Sequence, residues 1–332
     1  MYIRKRLRTI ILLLIAVVGF NQLIAQETAS PKNGDGITVF LRRHGRIGAD
    51  YQRQFIELNK GKLGKNNALK LGVKYTLPPL KTAVAKPKNH EPLFGSKLAA
   101  YQVTSSELKG ACFYLVSGHG GPDPGAIGKM GRNELHEDEY AYDIMLRLAR
   151  NLMMKGAKVH IIIQDAKDGI RDDRILANSK RETCMGSAIP LNQTQRLQQR
   201  CDKINALYRR DKEIYKRAIF IHIDSRSRSH QTDVFFYHSK SQSSKELAVR
   251  MRSTFSGKYK RHQPGRGFTG TVGQRNLYVL NKALPVSLYV ELGNIQNDFD
   301  QRRFVLESNR QALANWMCEA FVADFKQTTK KK

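Results

Sequence analysis

Apolar positions along the chain change their period several times, and each change marks an element. Cys112 to Val116 is an unbroken apolar run that stops at a glycine turn, the pattern of a buried strand. Tyr140, Ile144, Leu148 and Leu152 then recur at every fourth position, which predicts an amphipathic helix ending near Gly156. Val159 to Ile163 reads as the next strand and Gln195 to Leu207 as the next helix. Strands follow at Ala218 to Ile223 and Val234 to Tyr237, then a helix at Lys245 to Met251. Leu277 to Leu280 and Val286 to Val290 are two further expected strands. The final helix is expected from Ser308, with Gln311 as its capping-box partner and Leu313, Trp316, Met317, Ala320 and Phe321 on one face. Strand and helix thus alternate from Leu108 to about Phe325, which predicts an α/β fold.

The N-terminal third follows other rules. Arg4, Lys5, Arg6 and Arg8 precede the apolar run Ile10 to Phe20, and small Ala25 follows, so residues 1–25 read as an export signal. The run is about half of the ~20 residues that a spanning helix needs. Membrane contact is therefore expected only through an uncleaved signal, and the expected compartment is the periplasm or cell envelope. Residues 33–80 form a small module, and 81–106 an unpatterned linker with Lys86-Pro87-Lys88. Residues 107–326 form the larger domain, and 327–332 a basic tail expected to be disordered.

The net charge is +28, or +24 once the four basic residues of the signal are removed. Such a field favours polyanions. In an exported protein these are wall polymers, lipid headgroups or glycans, so no nucleic-acid partner is expected. The four cysteines, Cys112, Cys184, Cys201 and Cys318, show no Cys-x-x-Cys spacing. Cys112 and Cys318 read as core residues, and pairing of Cys184 with Cys201 is left open.

Four residues carry candidate chemistry. His119 lies in Ser117-Gly118-His119-Gly120-Gly121 and Glu137 in Leu135-His136-Glu137-Asp138-Glu139. His222 lies in Phe220-Ile221-His222-Ile223-Asp224, and Glu291 in Tyr289-Val290-Glu291-Leu292-Gly293. Three sit at strand ends and the fourth on the next helix's first turn, where open α/β sheets collect their chemistry. Two imidazoles and a carboxylate suit a catalytic zinc with one open position, leaving a fourth group to move protons. Each also has a plainer reading. Glu137 complements a helix dipole, His136 is a rival ligand, and His222 reads as a core histidine. The glycine loop 117–126 resembles a phosphate cradle without its spacing. A buried Glu291 needs a cation or a proton-sharing partner.

Gly118-His119-Gly120-Gly121-Pro122-Asp123-Pro124-Gly125-Ala126 resembles the opening motif of the zinc-dependent N-acetylmuramoyl-L-alanine amidases of the amidase-3 type. The Leu135-His136-Glu137 stretch, Arg200 with Asn205, the His222 strand and the segment Glu291 to Asn297 extend the resemblance over residues 110–326. Ile223-Asp224 stands where members commonly have Ala-Asn. The resemblance implies a three-layer α/β/α domain with an open, mostly parallel sheet. It implies one zinc held by His119, Glu137 and His222, with His136 a bystander and Glu291 as general base and acid. It implies peptidoglycan as substrate, cut between N-acetylmuramic acid and L-alanine during wall remodelling or daughter-cell separation. The helical plug of regulated members has little room after Tyr237, and any activator is left open. The long segment Gln164 to Asn192, with Arg171, Asp172, Asp173 and Arg174, reads as an elaborated surface loop, with a lid or a partner surface as the alternatives.

Asn33-Gly34-Asp35-Gly36-Ile37, Phe40 to Arg43, Phe55 to Asn59 and Leu69 to Tyr75 resemble in order a LysM unit, a small βααβ glycan-binding module. Its first strand is not evident, since Ala29 to Lys32 is a poor strand. Two other functions are compatible with the chain: a zinc peptidase acting on the stem peptide, and a non-catalytic wall-binding protein.

Overall fold

A computed structural model describes residues 27–80 and 89–330. The chain divides into two units, residues 1–84 and 85–332. The expected signal, residues 1–25, lies outside the described residues.

In the first unit β1 (Thr28–Ala29) pairs antiparallel with β2 (Tyr75–Thr76). Between them run α1 (Ile37–Arg43) and α2 (Ala49–Leu58). Phe40, Phe55 and Tyr75 meet in the core with ring centroids 5.7–6.2 Å apart. The Asn59 amide donates to the carbonyls of Phe55 and Thr76 and accepts from the Thr76 N–H, fastening α2 to β2. The order is β-α-α-β. Its first strand lies at Thr28–Ala29, ahead of the expected boundary at residue 33. Two residues leave no periodic trace, and register with β2 defines them instead.

The second unit begins with a hairpin, β3 (Asn89–His90) and β4 (Ala100–Tyr101), where a linker to residue 106 was expected. Phe94 between them is buried and meets Tyr101 edge-on. Next come β5 (Ala111–Ser117), the hairpin β6 (Ile127–Met130) and β7 (Asn133–His136), and α3 (Glu137–Met154). Short strands β8 (Lys158–Ile161), β9 (Ile163–Gln164), β10 (Thr183–Cys184) and β11 (Ser187–Ala188) lead to α4 (Gln193–Arg210). Then follow β12 (Tyr215–Asp224), β13 (Phe235–His238), α5 (Gln242–His262), β14 (Thr271–Gln274), α6 (Tyr278–Lys282) and β15 (Val286–Asn294). α7 (Arg302–Val305) and α8 (Glu307–Lys330) close the chain.

The main sheet has the order β14-β13-β15-β12-β5-β8, parallel except where β13 meets β15. Alternation along each strand sorts the layers. Phe113, Leu115, Ile219, Ile221, Leu288 and Val290 pack beneath α3, α5 and α8. Cys112, Tyr114, Val116, Ala218 and Phe220 face the other way, toward α4 and Val279 of α6. The architecture is three-layer α/β/α.

Several expected elements differ. Leu277 to Leu280 was expected as a strand but turns as α6, with the Asn281 N–H bonded to the Leu277 carbonyl. A short apolar run fits either state, and here it packs Val279 against Cys201 and Ile204 of α4. α8 starts at Glu307 rather than Ser308, and Gln311 caps nothing: its side-chain oxygen accepts from Arg147. α8 also runs to Lys330, into the tail 327–332 expected to be disordered, of which 331–332 lie outside the described residues. Glu291 lies inside β15, which continues to Asn294. All four cysteines are buried free thiols, so Cys184 and Cys201 are not paired. Residues 164–192 are not a loose surface loop. Leu176, Ser179, Glu182 and Cys184 are buried, and Arg310 of α8 clasps the carbonyls of Arg171 and Asp173. No helix among the described residues is long and apolar enough to cross a membrane.

Candidate functional site

β5 ends in a tight reversal. His119, Gly120 and Gly121 all have positive φ (58°, 95° and 65°), a conformation that costs a non-glycine residue roughly 1–2 kcal/mol. Such strain is found where surrounding contacts over-determine the backbone. Here the turn is fastened by the Gly120 N–H to the Asp123 carbonyl (2.8 Å) and by Arg200, whose guanidinium donates to the His119 carbonyl. The reversal turns the imidazole back over the sheet end.

The β6–β7 hairpin, absent from the sequence reading, delivers the second donor. Its turn uses Gly131 at φ 60°, and β7 runs directly into α3 with Glu137 as the first helical residue. Parallel register then sets His222 of β12 beside Glu291 of β15.

One ligand-capable atom from each of His119, Glu137 and His222 lies within 4.8 Å of the others. His119 Nε2 is 3.3 Å from Glu137 Oε2, and His222 Nδ1 is 3.0 Å from Glu137 Oε1. Each donor is aimed by a further group. Asp123 Oδ2 stands 2.8 Å from His119 Nδ1 and is itself held by Arg196 at 2.6 Å. The N–H groups of Ala126 and Ile223 donate to the two Glu137 oxygens. The Tyr289 ring stacks on His222 at 4.4 Å. Glycines leave the space that the cluster needs. A Cβ at Gly118 would come within 2.3 Å of the His222 ring, and one at Gly125 within 2.7 Å of Glu137 Oε2. Two imidazoles and a carboxylate, each aimed from behind, can hold a metal ion.

The electrostatics show how strongly the site wants positive charge. Burial opposes charge on Glu137, but both imidazoles hold its carboxyl well below the usual carboxylate range. Burial would also lower His119, yet its bonds to Asp123 and Glu137 lift it to about 10. The two histidines diverge: burial dominates at His222 and lowers it despite the shared Glu137. A cation between the three would do the same work.

Glu291 sits beside this cluster with one buried oxygen, Oε2, lacking any hydrogen-bond partner. Burial first, then the negative charges of Glu137 and Asp224, push its carboxyl well above the usual range. A buried carboxyl raised in this way beside a cluster of ligand-capable groups has the properties of a proton carrier. His136, the rival ligand, stands at the N-terminal boundary of α3 without a side-chain capping bond, its Nε2 3.5 Å from Glu134, and is not among the three converging residues. Asn205 bridges the Lys282 carbonyl and the Leu284 N–H, outside the site.

Sequence reasoning assigned no role to Asp123 or Arg196, and overlooked Glu182, whose Oε2 accepts from the Gly121 N–H. Asp123 carried a signal, being an acid four residues after the histidine it orients. Arg196 precedes Arg200 by one helical turn and so faces the same loop. Glu182 carried none, since 61 residues separate it from Gly121.

The family model for N-acetylmuramoyl-L-alanine amidase matches residues 114–322. Among solved structures, the chain is similar to the N-acetylmuramoyl-L-alanine amidase AmiC2 of Nostoc punctiforme: 19% identity, 67% of this chain and 99% of that one, TM-score 0.47. A Clostridium difficile 630 N-acetylmuramoyl-L-alanine amidase gives 18% identity, 66% and 98% coverage, and a TM-score of 0.48. Ami1 of Mycobacterium smegmatis gives 17%, 66%, 99% and 0.48. Among curated proteins none matches significantly.

Proposed function

The chain belongs to the N-acetylmuramoyl-L-alanine amidase family and is a peptidoglycan amidase; from that premise we propose an exported, zinc-dependent enzyme in which His119, Glu137 and His222 hold the metal and Glu291 carries the proton. The observation that supports this most is the convergence of the three aimed donors beside a carboxyl whose buried oxygen lacks a partner. The donor set, two nitrogens and one oxygen, is of the kind that binds a catalytic zinc.

Zinc held by His119, Glu137 and His222 would supply Lewis-acid activation of the amide carbonyl and of a water. Glu291 takes a proton from that water as its oxygen adds to the carbonyl carbon, and returns it to the nitrogen as the C–N bond breaks. The products are a carboxylate on the lactyl arm of muramic acid and an ammonium group on L-alanine, the water's second proton passing from the new carboxyl to the amine. Asp123 and Arg196 keep His119 in one tautomer, and Tyr289 keeps the His222 ring in plane.

Residues 27–80 are proposed to hold the enzyme on glycan strands in the manner of a LysM unit. Their β-α-α-β order supports that reading. The charged, then apolar, start of the chain supports export, and wall remodelling or daughter-cell separation is the proposed setting.

Digestion of purified peptidoglycan, with and without chelator, tests the reading. Mass analysis is expected to find intact stem peptides with free L-alanine amino ends, and none after chelation. Fragments cut within the stem peptide would replace the amidase by a peptidase.

A further inference from the structure

A second group of ligand-capable atoms lies behind the first. Asp138, Glu139 and Glu182 each place a carboxylate oxygen within 4.8 Å of the others. They are 2%, 1% and 6% exposed. In a chain with 57 basic and 29 acidic residues, this is a local excess of the scarcer charge, out of water. Its partners can be named. Glu139 accepts from Arg171 (2.8 Å) and from the Ser179 N–H. Glu182 Oε2 accepts from the Gly121 N–H at 2.8 Å. Asp138 Oδ1 accepts from the Glu139 N–H at 2.9 Å, while Asp138 Oδ2 is buried with no partner. Arg171 is shared with Asp168, and Arg181 serves Asp165 and Asp168. One guanidinium, itself shared with Asp168, is bonded to this group, and it reaches only Glu139. The helix dipole at the start of α3 favours Asp138 and Glu139, but it does not reach the scale of a buried pair of charges.

We propose that Asp138, Glu139 and Glu182 form a site for a second, oxygen-preferring divalent cation, of which calcium is the type, distinct from the site at His119, Glu137 and His222. An all-carboxylate set buried against backbone suits a hard cation and has no nitrogen or sulfur donor for zinc. The place gives the cation a task. It would tie the start of α3, which carries Glu137, to Glu182 beneath the Gly121 turn after His119. It would thereby dock residues 164–192 onto the loop that shapes the first site.

The test uses the full chain loaded with one equivalent of zinc and freed of other divalent ions, so the first site is filled throughout. Calcium, magnesium and manganese are titrated in separate arms, followed by calorimetry, elemental analysis and thermal melting. The wild type is expected to take up one calcium with a dissociation constant near the about 10⁻⁴–10⁻³ M of extracellular sites. Its melting temperature should rise with calcium concentration. Asp138→Asn and Glu182→Gln should each weaken calcium binding by about tenfold or more while keeping one zinc. Glu182→Gln keeps an oxygen for the Gly121 N–H and so should fold. Without calcium both variants should melt no lower than the wild type, since each eases the crowding of three carboxyl groups and keeps a hydrogen-bonding oxygen. Absence of uptake and of any melting shift up to about 10 mM of all three cations would overturn the proposal and leave a shared proton as the neutralising species. Calcium binding unchanged in both variants would overturn it as well. Zinc content and amidase products are read separately, so neither outcome bears on the assignment of the first site.

Discussion

The two ends of β5 carry clusters that look alike on paper. Beyond its C-terminal end stand His119, Glu137 and His222, and near its N-terminal end stand Cys112, His160 and Asp211. In both, ligand-capable atoms come within 4.8 Å, and α4 runs between them, with Arg196 and Arg200 near the first and Asp211 just past its last turn. The difference lies in what already occupies the acceptors. Asp211 accepts from Tyr114 (2.8 Å) and Cys112 (3.4 Å), and pairs with His160 (2.9 Å) and Lys158 (2.7 Å). Burial lifts the Cys112 thiol to about 12, so it donates a hydrogen bond and is not the thiolate that a metal binds. The other end has second groups aiming each donor inward, glycines clearing the space, and Glu291 with an unpartnered oxygen. Proximity of ligand atoms does not distinguish a metal centre from a closed polar network. The direction in which each hydrogen bond is spent does.

Substitutions should break that symmetry unequally. The largest effect is expected at Glu291. Glu291→Gln preserves size and one acceptor but cannot take the water proton, so turnover at saturating zinc should fall by ~10²–10⁴-fold with folding and zinc content kept. Wild-type turnover would remove Glu291 from the chemistry. At the closed end Asp211→Asn should leave specific activity intact but cost about 3 kcal/mol, as loss of one partner strands buried donors. Denaturant titration measures it, and a cost within error of zero would mean that the network is dispensable.

That cost should also depend on pH. Burial works against the Asp211 charge, but Lys158, Tyr114, His160 and Cys112 outweigh it and hold the carboxyl down to about 2. A carboxyl depressed in the folded state contributes stability above its unfolded pKa and loses it as the pH falls through the folded one. The gap between wild type and Asp211→Asn should therefore narrow from about pH 4 down to about pH 2. A gap that widens with acid would contradict the assignment. The smallest effect is expected at His136→Ala, which should keep both zinc and turnover. Metal loss there equal to that of His222→Ala would return His136 to the ligand set.

What the sequence disclosed follows from the range over which each feature is written. The strands carrying His222 and Glu291 are apolar runs and were legible, as was the helix of Tyr140, Ile144, Leu148 and Leu152. Their register, which sets His222 beside Glu291, is a long-range pairing and was not. The hairpin of residues 127–136 was missed because its strands have four residues each, too few for a period to declare itself. Leu277 to Leu280 was misread for the same reason. Residues 164–192 looked like a loop because their order comes from distant partners, among them Arg310 and Glu139. The proposed ligand residues announced themselves through a motif, whereas Asp123, Arg196 and Glu182 are defined only by what they touch.

The central claim, that one end of β5 holds the metal and the other holds only hydrogen bonds, is tested most directly by zinc content across four proteins. Wild type, His222→Ala, His160→Ala and Cys112→Ser are purified, exposed to excess zinc, desalted and analysed for metal per chain. The account predicts one zinc in the wild type, retained in His160→Ala and Cys112→Ser and lost in His222→Ala. Zinc that survives in His222→Ala and disappears from His160→Ala would place the metal at the wrong end of the sheet and contradict it.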